Sequence, residues 1–226
     1  MKKSEPSMAE IRKRRTKAAK IIKTLRKLFP NPKIALRYLN NWELFVSVVL
    51  SAQCTDKKVN EVTEKLFSAK GGSASGGKKY KTVNDFANAD LKTLELAIYP
   101  TGFYRNKAKN IIAAAKELKK KFGGKMPKTM AEMLTLPGIG RKSANVILGN
   151  AYGVVEGIAV DTHVRRLSKK LGLTKHDDPV KIELDLMKII PKKDWFEFTY
   201  LLIDYGRKYC VARPHAHENC PLSKVK

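Results

Sequence analysis

The stretch that decides the fold is Leu136-Pro137-Gly138-Ile139-Gly140-Arg141-Lys142-Ser143-Ala144-Asn145. Pro137 fixes one φ angle, while Gly138 and Gly140 admit backbone conformations closed to other residues, so the segment reads as a tight hairpin. Ala144, Val146, Ile147, Leu148 and Ala151 follow as a short apolar helix, and Met130, Met133 and Leu134 precede it at helical spacing. The unit is therefore helix–hairpin–helix. Glycine amides exposed at a helix N-terminus form a concavity that suits an anion such as phosphate, and Lys142 stands beside it in the first turn. An ordinary helix–helix turn with a solvated lysine would look the same locally, because Pro-Gly-x-Gly alone signals only a loop.

Composition supports the phosphate. The chain carries 46 Lys+Arg against 21 Asp+Glu, a formal charge of +25 and a pI of about 10.0, an imbalance that points to a polyanionic partner. Membrane attachment is the rival, but no apolar run approaches the roughly 20 residues that span a bilayer. The N-terminus also lacks a signal-peptide core, so the expected place of work is the cytoplasm, in association with the nucleoid. At 226 residues the chain can bury one good core or two modest ones sharing an interface. Three cysteines, Cys54, Cys210 and Cys220, make no disulfide framework.

Helical periodicity runs through most of the chain. Residues 1–28 hold eleven basic side chains against Glu5 and Glu10, and Ile11, Ala18, Ile22, Leu25 and Phe29 place an amphipathic helix from about Met8 to the Pro30/Pro32 stop. Trp42 to Ala52 is apolar on all sides and therefore buried. Thr55 or Asp56 can cap a helix from Val59 to Phe67, and Asp85 to Ile98 gives one or two short helices. Residues 71–77, all glycine, serine and alanine, form a flexible surface loop without chemistry. Thr101-Gly102-Phe103-Tyr104 is a turn before a helix with Ile111, Ala115, Leu118 and Phe122 on one face. Asp161 sits at the N-cap of a helix from Val164 to Leu171, and a final helix carries Trp195, Phe198, Leu202, Tyr205 and Tyr209. Strand patterns are almost absent, so the expected class is all-α.

Four separated stretches resemble one family. Leu50-Ser51-Ala52-Gln53-x-Thr55-Asp56, Gly102-Phe103-Tyr104-x-x-Lys107-Ala108, the hairpin itself, and Val160-Asp161-Thr162-His163 match endonuclease III, of the helix–hairpin–helix DNA glycosylases. They occur in the family's order, within a similarity spanning roughly residues 30–220. The resemblance implies two helical domains with a DNA cleft between them. One is a six-helix barrel with the hairpin, residues 34–154. The other is discontinuous, residues 1–33 and 155–226, with the active site at the cleft mouth where Lys142 and Asp161 meet. The implied partner is double-stranded DNA containing damaged bases or abasic sites, bound by a monomer.

The chemistry that the resemblance implies begins with extrusion of the damaged nucleotide, at a cost of a few kcal/mol. Gln53 would fill the space left behind and Phe103 would act as a wedge, although a phenylalanine more generally packs against its own helix. Gly138, Ile139, Gly140, Arg141 and Lys107 would also lie at the DNA. Lys142 would be the nucleophile. An ammonium cannot attack, so the amine must shed its proton, helped by desolvation or by a neighbouring cation such as Arg141. Attack at C1′ expels the base and leaves an imine, which acidifies C2′ and permits β-elimination of the 3′ phosphate. That makes a bifunctional glycosylase/lyase of base excision repair, with oxidised or saturated pyrimidines as the expected lesions. Asp161 would stabilise positive charge developing on the sugar, and could cap its helix at the same time. Lys142 and Asp161 stand one residue farther apart than in the family pattern, which residues 153–157 can absorb. His163 would orient the phosphate side of the cleft, or serve only as a structural histidine. The alternatives are a monofunctional mismatch glycosylase and a non-catalytic helix–hairpin–helix DNA-binding protein, neither of which needs the Lys142/Asp161 pair.

For cofactors the expectation departs from the family. Endonuclease III usually holds a four-iron four-sulfur cluster on cysteines spaced C-x6-C-x2-C-x5-C. In that register Cys210 is first and Cys220 third, but His217 falls second and Lys226 fourth. Lysine is not a usual cluster ligand, so neither a cluster nor another metal is expected. The tail is expected to be held by packing of Tyr209, Val211, Pro214, Pro221 and Leu222. A zinc site from Cys210, His215, His217 and Cys220 has proper ligand types but fits no standard finger spacing, and stays open as the lesser alternative. A monovalent cation on the hairpin carbonyls of Leu134, Leu136 and Ile139 is implied by similarity.

Overall fold

The computed structural model describes residues 7–68 and 80–225. The start of the basic arm, the loop of residues 71–77 and Lys226 lie outside them. Among the described residues the protein is all-α, with eleven α-helices and no strand. None of these helices is long and apolar enough to cross a membrane. The chain divides into two compact units, residues 35–154 and residues 1–34 with 155–226.

The continuous unit holds α2 (Asn41–Leu50), α3 (Asp56–Leu66), α4 (Val83–Ala87), α5 (Leu91–Ile98), α6 (Tyr104–Phe122), α7 (Met130–Met133) and α8 (Arg141–Tyr152). α2 is buried from Trp42 to Leu50, as its unbroken apolar sequence requires. Trp42 stacks on Phe45 at 5.1 Å and meets Phe86 edge-on at 5.3 Å, so α4 is held against α2 by aromatic contacts. Side-chain caps set most helix starts: Asn40, Thr55, Thr82, Asp90 and Thr129 each accept from a backbone N–H in the first turn. The exceptions are α6 and α8, whose caps, Phe103 and Gly140, supply no side-chain acceptor.

The discontinuous unit joins α1 (Met8–Leu28) to α9 (Thr162–Lys170), α10 (Pro179–Ile189) and α11 (Trp195–Lys208). Ser7 and Glu10 form a reciprocal capping box at the start of α1. Ala18, Ile21, Ile22 and Leu25 bury its apolar stripe with Val164, Leu167, Ile182, Leu186 and Leu202 of the other three helices. Arg26, at the C-terminal end of α1, donates to Asp194 at 2.8 Å and to Glu197 at 2.9 Å, and these carboxylates hold the guanidinium in its charged form. α10 is the helix that the sequence analysis passed over. Its start carries a standard signature, Asp178 as N-cap accepting from Lys181 N–H with Pro179 in the first turn.

Candidate active site and metal-ligand cluster

The two hairpin glycines differ. Gly138 has φ +83°, and a Cβ there would meet Asn110 of α6 at 3.0 Å, so only glycine fits. Gly140 is extended (φ −105°, ψ 174°) with open space around it, so its backbone does not require glycine, contrary to the expectation from sequence. A bare residue at this cap supplies no side-chain acceptor to the first turn of α8. Lys142 is exposed and Arg141 half-buried on that same turn. The hairpin is closed by Ile139 N–H donating to the Leu136 carbonyl at 3.3 Å, and the Ile139 side chain is buried, so this residue can offer a ligand only backbone.

Gln53 and Phe103 are the non-glycine residues with positive φ among those described, at 52° and 47°. Such conformations cost about 1–3 kcal/mol each and persist where surrounding structure enforces them. Phe103 is 62% exposed, so most of the residue is not packed into its own helix. One side chain ties the two turns together. Lys107 of α6 is only 4% exposed, and its Nζ donates to the carbonyls of Leu50 and Thr101, each at 2.8 Å. Leu50 ends α2 three residues before Gln53, and Thr101 stands two before Phe103. Burial holds the Lys107 ammonium below the ordinary lysine range, against a smaller opposing pull from Cys54. Lys107, expected among the DNA contacts, is therefore an internal staple, a role legible only once tertiary packing is seen. Phe103→Gly should relieve its turn, leaving stability unchanged or raised by up to about 1 kcal/mol. Thermal melting checks this, and a large destabilisation would mean that the ring packs after all.

Asp161 caps α9, its carboxylate accepting from Val164 N–H at 2.8 Å. It belongs to the discontinuous unit and Lys142 to the continuous one. Between them, Gly153 at φ +66° ends α8 and its N–H donates to the Gly149 carbonyl at 3.1 Å. His163, also on α9, lies with Nδ1 against Gly206 of α11, where any Cβ would collide with it. The contact is a helix–helix packing contact, in keeping with the structural option for this residue. Arg166, one turn on, donates to the Cys210 carbonyl at 2.7 Å and anchors the segment after α11.

That segment corrects the expectation of a metal-free tail. Cys210, His215, His217 and Cys220 converge, one ligand atom from each lying within 4.8 Å of the others. Cys210 Sγ is 3.6 Å from His217 Nδ1, and Cys220 Sγ is 3.4 Å from His215 Nε2. The 3-10 turn at His217–Asn219 brings this about, with Cys220 N–H donating to the His217 carbonyl at 2.9 Å. These are the four residues kept open as the lesser alternative; their linear spacing fits no standard finger because the turn folds His215 back beside Cys220. The segment is thus a metal-competent site as well as a packed tail.

Comparison with known proteins agrees with this architecture. Residues 46–192 match the family described as HhH-GPD superfamily base excision DNA repair protein. Endonuclease III of Synechocystis sp. is 44% identical over 212 residues, 94% of this chain and 92% of that protein. The Bacillus subtilis endonuclease III is 43% identical, covering 86% of this chain and 84% of its own. A solved structure of a trapped endonuclease III–DNA covalent intermediate superposes with a TM-score of 0.84 at 40% identity, over 93% of this chain and 94% of that one. A thermostable thymine-DNA glycosylase, at 19% identity and a TM-score of 0.75, shares the fold. The chain therefore belongs to the endonuclease III family of the HhH-GPD superfamily.

Proposed function

We propose that Lys142 and Asp161 carry the chemistry of this member of the endonuclease III family. Family membership makes it a bifunctional glycosylase and abasic-site lyase of base excision repair. The observation that carries the assignment is an exposed lysine in the first turn of α8, directly after a cap that supplies no acceptor. A phosphate of damaged duplex DNA would seat on those amides and hold the backbone beside the Lys142 amine. The closing DNA removes water from the amine, which favours its neutral, nucleophilic form. Nζ attacks C1′, the C1′–N bond to the base breaks, and the departing base takes a proton. The C1′–O4′ bond then opens, O4′ taking a proton, to leave a C1′=Nζ imine; this makes the C2′ proton acidic, and its loss drives β-elimination of the 3′ phosphate. Asp161 stabilises the positive charge on the sugar as the base leaves.

On this proposal Gln53 and Phe103 enter the base stack, and their strained turns keep the two side chains presented before DNA arrives. Residues 34–154 would act as the DNA-gripping domain, and residues 1–33 with 155–226 would supply Asp161, in a monomer working on the chromosome in the cytoplasm. Oxidised pyrimidines are the proposed lesions. Borohydride added to enzyme and abasic duplex should trap a covalent protein–DNA complex. A monofunctional glycosylase or a non-catalytic binding module would give none.

The hairpin assignment has its own check. Gly140→Ala should leave the melting temperature nearly unchanged, since a Cβ there meets nothing, while weakening duplex binding, because on this proposal the added methyl takes space that the incoming phosphate backbone needs. Gly138→Ala should destabilise by about 1–2 kcal/mol, since it combines positive φ with a clash on Asn110. Equal melting shifts for the two variants would contradict this division of roles.

A further inference from the structure

We propose that Cys210, His215, His217 and Cys220 hold a single tetrahedral zinc ion where the family holds an iron–sulfur cluster. Zinc–sulfur bonds of about 2.3 Å and zinc–nitrogen bonds of about 2.0–2.1 Å at tetrahedral angles put sulfur and nitrogen about 3.6 Å apart. The two cysteine–histidine pairs stand at 3.6 Å and 3.4 Å, and all four ligand atoms fit within 4.8 Å. They surround one point. A four-iron cube places a separate metal beneath each ligand, which spreads the ligands wider, and it wants four thiolates. A two-iron centre with two histidines and two cysteines segregates them, both imidazoles on one iron and both thiolates on the other. Here each sulfur is paired with an imidazole instead, so the residues present do not fit an iron–sulfur cluster of either kind.

The groups around the ligands support the assignment. His215 Nδ1 lies 2.8 Å from the Arg213 carbonyl. That partner demands a proton on Nδ1 and leaves the Nε2 lone pair facing Cys220, as a zinc-bound imidazole requires. Arg166 Nη1 approaches Cys210 Sγ at 3.8 Å while Nη2 holds the Cys210 carbonyl, so a cation faces the sulfur from outside the site. Cys210 and Cys220 are 0% and 5% exposed, whereas His215 forms the open rim. With four protein ligands and no open position the zinc is structural, tying the segment after α11 to that helix.

The test is metal analysis of the full chain, purified from medium supplied with both iron and zinc. About one zinc per chain and no iron is the expected result. Iron at two or four atoms per chain, with visible absorption, would overturn the proposal. Protein stripped by chelator and reloaded with Co²⁺ alone should show the intense visible bands of tetrahedral cobalt with a thiolate charge-transfer band. Octahedral-type weak bands, or none, would count against it. Because Cys210 and Cys220 are buried and their variants can misfold, the diagnostic variant is the rim residue. His215→Ala should retain zinc at least about tenfold more weakly in a chelator competition, while Cys54→Ser, in the other unit, should retain it fully. Equal retention by His215→Ala and the wild type would exclude the four-ligand site.

Discussion

Lys142→Ala is expected to abolish both base release and strand nicking, lowering the single-turnover rate on damaged duplex by at least about 10³-fold. Borohydride trapping should vanish with it. The side chain is exposed, so neither the melting temperature nor the fold should register its loss. Duplex affinity should change little, because the binding elements on the proposed reading are the hairpin amides and one lysine among 46 basic residues is a small part of the field. Asp161→Asn makes a useful partner. Asparagine caps a helix about as well as aspartate, so the bond to Val164 N–H survives and stability is kept. What is lost is the negative charge, and turnover should slow while binding persists. A trapped complex formed by Lys142→Ala at the wild-type rate would mean that another amine is the nucleophile.

Much of the local structure around the candidate site was legible in the sequence because it is built from short-range chemistry. A hairpin needing positive φ at Gly138, a caps-and-periods pattern for α2, α3 and α9, and an aspartate at an N-cap are all short-range statements. α10 shows the limit from the other side. Its Asp178-Pro179 start is equally local, yet half of its surface is exposed and the apolar face of Ile182, Leu186 and Ile189 is interrupted by charge. The metal cluster was ranked below a packed tail for a different reason. Reading positions 210–226 against a fixed cysteine register sets His217 against a thiolate position and gives His215 no position at all. The 3-10 turn makes spatial neighbours of residues that no linear template pairs. Gly140 was overread, because a glycine in a turn-rich motif suggests a conformational need that its extended backbone does not have.

Lys107 marks where sequence reasoning had to fail, and its substitution should have the second large effect. On a chain of charge +25 a lysine one turn after Gly-Phe-Tyr looks like a phosphate contact. Instead its ammonium is enclosed at the C-terminal end of α2, where the last carbonyls lack helical partners and the helix dipole favours a cation. Lys107→Met keeps the apolar stem and volume but leaves the Leu50 and Thr101 carbonyls buried without this donor. At about 1–3 kcal/mol for each stranded acceptor, less the relief of no longer burying a charge, a net loss of about 2–4 kcal/mol is expected. Thermal or urea unfolding reads it directly. The functional consequence follows from which turns are released. Once the staple is gone, the positive φ values at Gln53 and Phe103 are no longer enforced, and both turns can relax to commoner conformations. On the proposed reading, base release must suffer more than abasic-site nicking. Extruding a paired, stacked nucleotide needs both inserted side chains, whereas an abasic sugar has no base to unstack and flips at little cost. Assayed well below its lowered melting temperature, Lys107→Met should therefore lose about 10²-fold in glycosylase rate and less than about tenfold in lyase rate. A proportional loss of both activities would reduce Lys107 to a stability element. Unchanged melting would mean that its two carbonyl contacts contribute nothing.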